Sequence, residues 1–287
     1  GIRMIATDGA GSGAAVTDVL DVLGGTGNVG LGSGAFGTGL TTGTDNVAIG
    51  EAAGDALTSG ADNTLVGDNA GGALTTGANN VAIGSAALLV STTANNNTML
   101  GTNAGTAISS GAANTGVGKD ALLALTTGAS NTAVGTVALD ALTTGNYNTA
   151  VGRSALSANT TASNNTAVGY NALLVNSTGA DNVAIGYGAL DANTTADQNV
   201  AVGAYTLSAN TTGGDNTAVG DSALNANTTA SNNTAVGKNA LTTNSTGAAN
   251  TGVGKSALSA NTTGDSNVAV GKGALGANEG GTRNVAL

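Results

Sequence analysis

The stretch NTAVGYNALLVNSTGAD, residues 165–181, decides how this chain is read. Seventeen residues later the chain writes NVAIGYGALDANTTADQ, and seventeen later again NVAVGAYTLSANTTGGD. The common core is Asn-(Thr/Val)-x-(Val/Ile/Leu)-Gly. Its Asn stands at 28, 46, 63, 80, 97, 114, 131, 148, 165, 182, 199, 216, 233, 250, 267 and 284. Every interval from Asn46 onward is 17 residues, and one extra residue lies between Asn28 and Asn46, in LGSGAFGTGLTTG. Self-similarity at a fixed short period is the mark of a stacked-repeat architecture.

With the anchor Asn as position 1, each position has a physical reading. Position 2 is Val or Thr, both β-branched and suited to strands. Position 4 is Val, Ile or Leu, as at Val168, Ile185 and Val202. Position 5 is Gly wherever the chain reaches it, which predicts a positive φ or a backbone approach that a Cβ would block. The structural anchors are therefore Asn46 and Gly50, Asn63 and Gly67, Asn80 and Gly84, Asn165 and Gly169, Asn182 and Gly186, and Asn199 and Gly203. Position 8 is Ala with one departure, Thr206. Position 9 is Leu in the later repeats and Gly at Gly54, Gly71 and Gly105.

Seventeen residues are too few for two helices and a turn, and T-A-V-G is too β-branched for a helix. The predicted unit is one coil of a parallel β-solenoid, with a first strand over positions 2–5 and a second near positions 8–11. The T-T-G segment closes the coil. Coils then stack about 4.8 Å apart, each residue above its own copy. A single coil cannot bury its own apolar face, so stability comes from neighbours. Positions 2 and 4 face one way and position 3 the other. Both faces are small and apolar, which is the pattern of strands covered on both sides. One face looks into the coil; the other calls for a further chain, unless the Ala of position 3 is simply exposed.

Position 12 changes along the chain. It is Leu57, Leu74, Ile108, Leu125 and Leu142 early, with Ser91 interrupting, and Asn from Asn159 to Asn278. An inward position would thus switch from an apolar to an Asn ladder. Seven of these Asn open N-x-T sequons, which matter only in a glycosylating secretory pathway; the alternative is a hydrogen-bonding turn Asn.

Composition sets the function classes. The 287 residues include 48 Gly, no Pro, Cys or His, and 2% aromatics. Without His or Cys there is no Ser-His-Asp or Cys-His catalytic arrangement and no ordinary zinc site. The acids wander along the repeat, as at Glu51, Asp68, Asp120, Asp140 and Asp181, and read as solvated turn residues. We expect no enzyme, no catalytic residue, no cofactor and no metal. The net charge is −10 with seven Lys and Arg and no basic run, which argues against nucleic-acid binding. No apolar stretch is long enough to span a membrane. The absence of Cys would suit an extracellular protein. Residues 1–27, with AVTDVLDVLGG, leave the repeat and read as a junction or degenerate cap ahead of a repeat region over 28–287. The missing start methionine and abrupt end suggest a piece of a longer fibre.

The anchor also resembles known repeats. NVAIG at 46, 80 and 182, followed by Ala at position 8, resembles the S-V-A-I-G-x-x-A repeats of YadA-like heads in trimeric autotransporter adhesins. The fuller NTAVGYNAL with its N-T-T-G segment looks like repeats of bacteriophage tail-fibre proteins. The resemblance covers residues 46–287 and is specific in the five-residue core; the adhesin repeat is shorter. It implies a left-handed parallel β-roll in an intertwined or side-by-side homotrimer that forms a rod. It also implies a location on a virion or bacterial surface, and a host receptor or surface glycan as partner. The expectation is a structural fibre acting as a stiff spacer and multivalent attachment surface. Two alternatives stand beside it: a self-assembling extracellular filament, and an ice-binding solenoid using the Thr pairs of positions 13 and 14, as at Thr160 and Thr161.

Overall fold

A computed structural model describes residues 27–287; the expected N-terminal cap lies, but for Gly27, outside the described residues. The chain forms two compact units that divide after Asn131. The architecture is all-β. The first unit carries six three-residue strands, from β1 (Val29–Leu31) to β6 (Thr115–Val117), and the second carries ten, from β7 (Thr132–Val134) to β16 (Val285–Ala286). Within each unit the strands pair in chain order and all run parallel. The register puts like on like: Val47, Ala48 and Ile49 pair with Thr64, Leu65 and Val66. Each unit is thus a parallel β-solenoid with one strand per 17-residue coil.

The strand occupies positions 2–4, and its middle residue points inward. Ala48, Ala82, Ala167 and Ala201 are fully buried, while their neighbours at positions 2 and 4 are partly exposed. The Ala of position 3 is therefore core, not an exposed filler. The second strand expected near positions 8–11 is absent. That segment is a run of turns, because residues at positions 7 and 9 take left-handed backbone, as at Asn171 (φ 56°) and Leu173 (φ 50°). Its N–H groups still bond from coil to coil: Leu173 N–H donates to the Ala189 carbonyl at 3.0 Å, and Val175 N–H to the Asp191 carbonyl at 3.2 Å.

A left-handed Leu costs about 1–2 kcal/mol, and burying its side chain gains about 2 kcal/mol, so Leu is tolerable wherever the interior has room for it. Where the room is taken, position 9 is Gly. A Cβ on Gly54 or Gly71 would stand 2.8 Å from the side chain of Leu65, and one on Gly105 would stand 2.7 Å from Met99 Sδ. A Cβ on Gly116, at position 3 of the coil after Met99, would likewise stand 2.7 Å from Met99 Sδ. In the first unit large and small residues thus complement each other between adjacent coils, so that the narrow interior stays filled.

The Gly of position 5 meets both of its sequence expectations. Gly169 has φ 140°, and a Cβ there would fall on the carbonyl of Gly186 in the next coil. At position 17 the backbone is again left-handed, and the residue is commonly Asp or Asn, as at Asp62, Asn79, Asn164 and Asp181. These short polar side chains tolerate that conformation best after Gly. Several of the wandering acids are thus there to make a turn.

Candidate functional site

Three features run the length of a unit: two buried amide ladders, an outward aliphatic column, and an edge of charged and aromatic residues.

The anchor Asn side chains form the first ladder, fully buried in the repeats from Asn80 to Asn267. Asn80 Oδ1 accepts the backbone N–H of Asn97 at 3.0 Å and its Nδ2 at 3.3 Å. Asn97 Nδ2 also donates to the Gly111 carbonyl at 2.9 Å, at position 15 of its own coil. The same set recurs at Asn46, Asn63, Asn182 and Asn199. Buried amides are stabilising only when paired in this way. The site residues singled out at position 1 are therefore internal ties, and those at position 5 are points of close backbone stacking.

In the second unit position 12 adds a further ladder. Asn193 Nδ2 donates to Asn176 Oδ1 at 2.8 Å and to the Ala196 carbonyl at 3.0 Å. That carbonyl also accepts from Asn182 Nδ2 at 2.8 Å, so its two lone pairs serve both ladders. The seven sequon Asn, from Asn159 to Asn261, have no exposed surface, so the folded chain offers none of them to a glycan. The Thr hydroxyls of position 13 are also engaged: Thr194 Oγ1 donates to the Thr211 carbonyl at 3.0 Å, and Thr211 repeats this with Thr228.

On the outer side of the strand, position 4 makes an aliphatic column within each unit. Ile49, Leu100, Val134, Val151, Ile185, Val219, Val236 and Val270 are all more than one-third exposed. Beside them position 2 is Val or Thr, as at Val183, Val200, Thr217 and Thr234.

The third feature was not legible as a motif. Read as runs, the basic residues look scattered; read as columns, five of the seven fall at position 6 (Lys119, Arg153, Lys238, Lys255, Lys272). In the second unit this position reads Arg153, Tyr170, Tyr187, Ala204, Asp221, Lys238, Lys255 and Lys272 over eight successive coils, with Tyr205 following Ala204. The backbone locks these coils in step: Gly188, Asn239, Ser256 and Gly273 N–H groups donate to the carbonyls of Tyr170, Asp221, Lys238 and Lys255 at 3.0–3.1 Å. The Arg153 guanidinium lies 5.6 Å from the Tyr170 ring centroid and donates to its hydroxyl at 3.2 Å. Tyr170 stacks on Tyr187 at 5.4 Å, and Tyr187 meets Tyr205 edge-on at 5.1 Å. The Tyr205 hydroxyl beside it raises the Tyr187 phenol pKa above its ordinary value. Lys238 Nζ lies 3.3 Å from Asp221 Oδ1. The spacing that would have revealed this edge is the 17-residue recurrence of Tyr170 with Tyr187 and of Lys238 with Lys255 and Lys272.

In the first unit, Lys119 Nζ contacts Asp120 Oδ2 at 2.8 Å and Asn103 Nδ2 contacts Asp120 Oδ1 at 2.9 Å. These bonds, that of Lys119 first, hold the Asp120 carboxyl below its usual range. Among the described residues no group of three or more acids, His or Cys could hold a metal ion. No helix among them is long and apolar enough to cross a membrane. Comparison with known protein families and with characterised proteins finds no match to the chain.

Proposed function

We propose that the chain is a structural fibre segment, the shaft or head of a phage tail fibre or of a cell-surface trimeric adhesin. In this reading it works outside the cell as a stiff spacer and a multivalent attachment surface, and copies of it associate as a homotrimer. The observation that carries the reading is the outward aliphatic column of position 4, which continues coil after coil without a charge. A surface repeating at the coil spacing is best matched along its length by another surface with the same spacing. A further copy of this chain has it by construction. Two strand faces packed on one another also satisfy the apolar pattern that the sequence shows on both sides of the strand. The resemblance of the NVAIG anchor to adhesin heads and tail-fibre repeats points to three copies.

The test is solution mass by light scattering. A mass near three times 26.7 kDa supports it. A particle of 26.7 kDa at micromolar concentration overturns the self-association, and an open-ended series of masses would favour filament assembly instead.

A further inference from the structure

We propose that the position-6 edge of the second unit is a binding track for an acidic polysaccharide, held by Lys238, Lys255 and Lys272 at one end and by Tyr170, Tyr187 and Tyr205 at the other. The proposal rests on the fibre reading in one respect only: copies cover the position-4 column, and the neighbouring edge stays open.

The lysines come first. Lys238, Lys255 and Lys272 are exposed and occupy the same position of three successive coils, with their backbones bonded in step. Coils repeat about 4.8 Å apart, so the three ammonium groups form a like-charge row on a chain of net charge −10. Asp221 partners Lys238 at one end of the row. Lys255 and Lys272 have no carboxylate within ion-pair distance among the described residues. Positions 7–10 of these three coils supply none either, for they read NALT, SALS and GALG. A stacked fold that sets every substitution in a column repeats a like charge only at a cost in repulsion. A ligand bearing anionic groups at a similar spacing removes that cost. Contact between symmetric copies would increase it, so the row does not belong to the self-association face.

The tyrosines define the rest of the ligand. The chain has four Tyr and one Phe, and three of the Tyr sit together here at 40%, 50% and 47% exposure. The faces of Tyr170 are occupied by Arg153 and by Tyr187, and the Tyr187 ring already touches Tyr205. Nucleobases recognised by aromatic platforms need a free ring face to stack on. What this row presents instead is ring edges and phenol hydroxyls, which suit the C–H and O–H groups of a sugar. The carboxylates on this stretch of the edge, Asp191 and Asp221, lie among the tyrosines and between the two clusters. They also favour sugar hydroxyls over phosphates there. A glycan extended along the edge advances by roughly one coil per pyranose unit. Its acidic groups then meet the lysines while neutral units lie on the tyrosines. A sparse row of cations fits the low charge density of a uronic-acid polymer better than that of a nucleic acid.

The experiment uses the full chain in low-salt buffer. Its binding to oligogalacturonate, to neutral dextran and to a single-stranded DNA oligomer is measured by calorimetry, with solution mass recorded for every variant. Expected is binding to oligogalacturonate over both other probes. Affinity should fall about tenfold for the pair Lys255→Gln with Lys272→Gln, and by a similar factor for Tyr170→Ser with Tyr187→Ser, at unchanged mass. Tighter binding to the DNA overturns the assignment in favour of a nucleic acid. Loss with the Lys pair and none with the Tyr pair reduces the row to a non-specific charge contact and overturns the composite track. No binding to oligogalacturonate overturns it outright. A variant whose mass changes reports on self-association, so failure of the fibre reading is separable from failure of this one.

Discussion

Ser91 stands at position 12 between Leu74 and Ile108 of the adjoining coils, fully buried, and its hydroxyl has no hydrogen-bond partner. A buried hydroxyl left unpaired costs about 1–3 kcal/mol, and removing the oxygen alone leaves almost the same shape. Ser91→Ala should therefore stabilise the first unit by about 1 kcal/mol, read as a higher denaturant midpoint at unchanged slope. Asp191 is a second residue at odds with its surroundings. Burial raises its carboxyl pKa above 3.8, against weaker opposition from backbone hydrogen bonds at Asp191 and Ala192. The folded form thus holds the proton to higher pH than the unfolded form. Stability through this group is greatest below pH 3.8 and declines as pH rises through the raised value. Asp191→Asn should unfold at higher temperature than the parent at pH 7, and the gap should close as the pH falls below 3.8.

At the scale of the element, the strand was readable and the turn segment was not. A β-branched residue, a small one, an aliphatic one and then Gly reads as a strand over positions 2–5; it lies at positions 2–4, and the Gly of position 5 falls just outside it. The segment after it misleads because Leu does not advertise left-handed backbone; Leu156, Leu173, Leu207 and Leu241 adopt it to reach the core. The ladders could be foreseen at position 12, from the run of Asn, but their geometry could not. Nothing in the sequence shows that one carbonyl at position 15 takes a bond from both Asn side chains. Asn199→Ala tests what a single tie contributes. It would remove the acceptor of the Asn216 backbone N–H, at 3.1 Å, and of Asn216 Nδ2, at 3.1 Å, where both residues are fully buried. The expected loss is about 3 kcal/mol, with hydrogen exchange at Asn216 accelerated before that of distant coils.

For the whole molecule, the repeat was legible and its outward position-6 column was not. Columns are built by periodicity, so the lysines, 17 residues apart, were invisible to a search for runs. The proposed assembly makes a prediction that belongs here. Ile185 at position 4 is 39% exposed, so lysine there should change the stability of a single chain by no more than about 0.5 kcal/mol. In an assembly packed through that column it places a charge in an apolar contact. Ile185→Lys should lower the mass seen by light scattering while leaving the circular dichroism unchanged.

The fitted pairs inside the first unit also bear on how such a gene can change its length. Leu65 fills space left by Gly54 in the coil before it, and Met99 fills space left by Gly116 in the coil after it. Excising the codons of one coil there would part a large side chain from its hollow. From residue 159 onward successive coils are close to interchangeable, with Ala, Leu and Asn at the same inward positions. Recombination between near-identical stretches of DNA could drop or add a coil in that region and leave every joint well packed. The second unit is therefore where natural variants of this chain should differ in coil number, and where a lineage could reorder the outward edge without redesigning the interior.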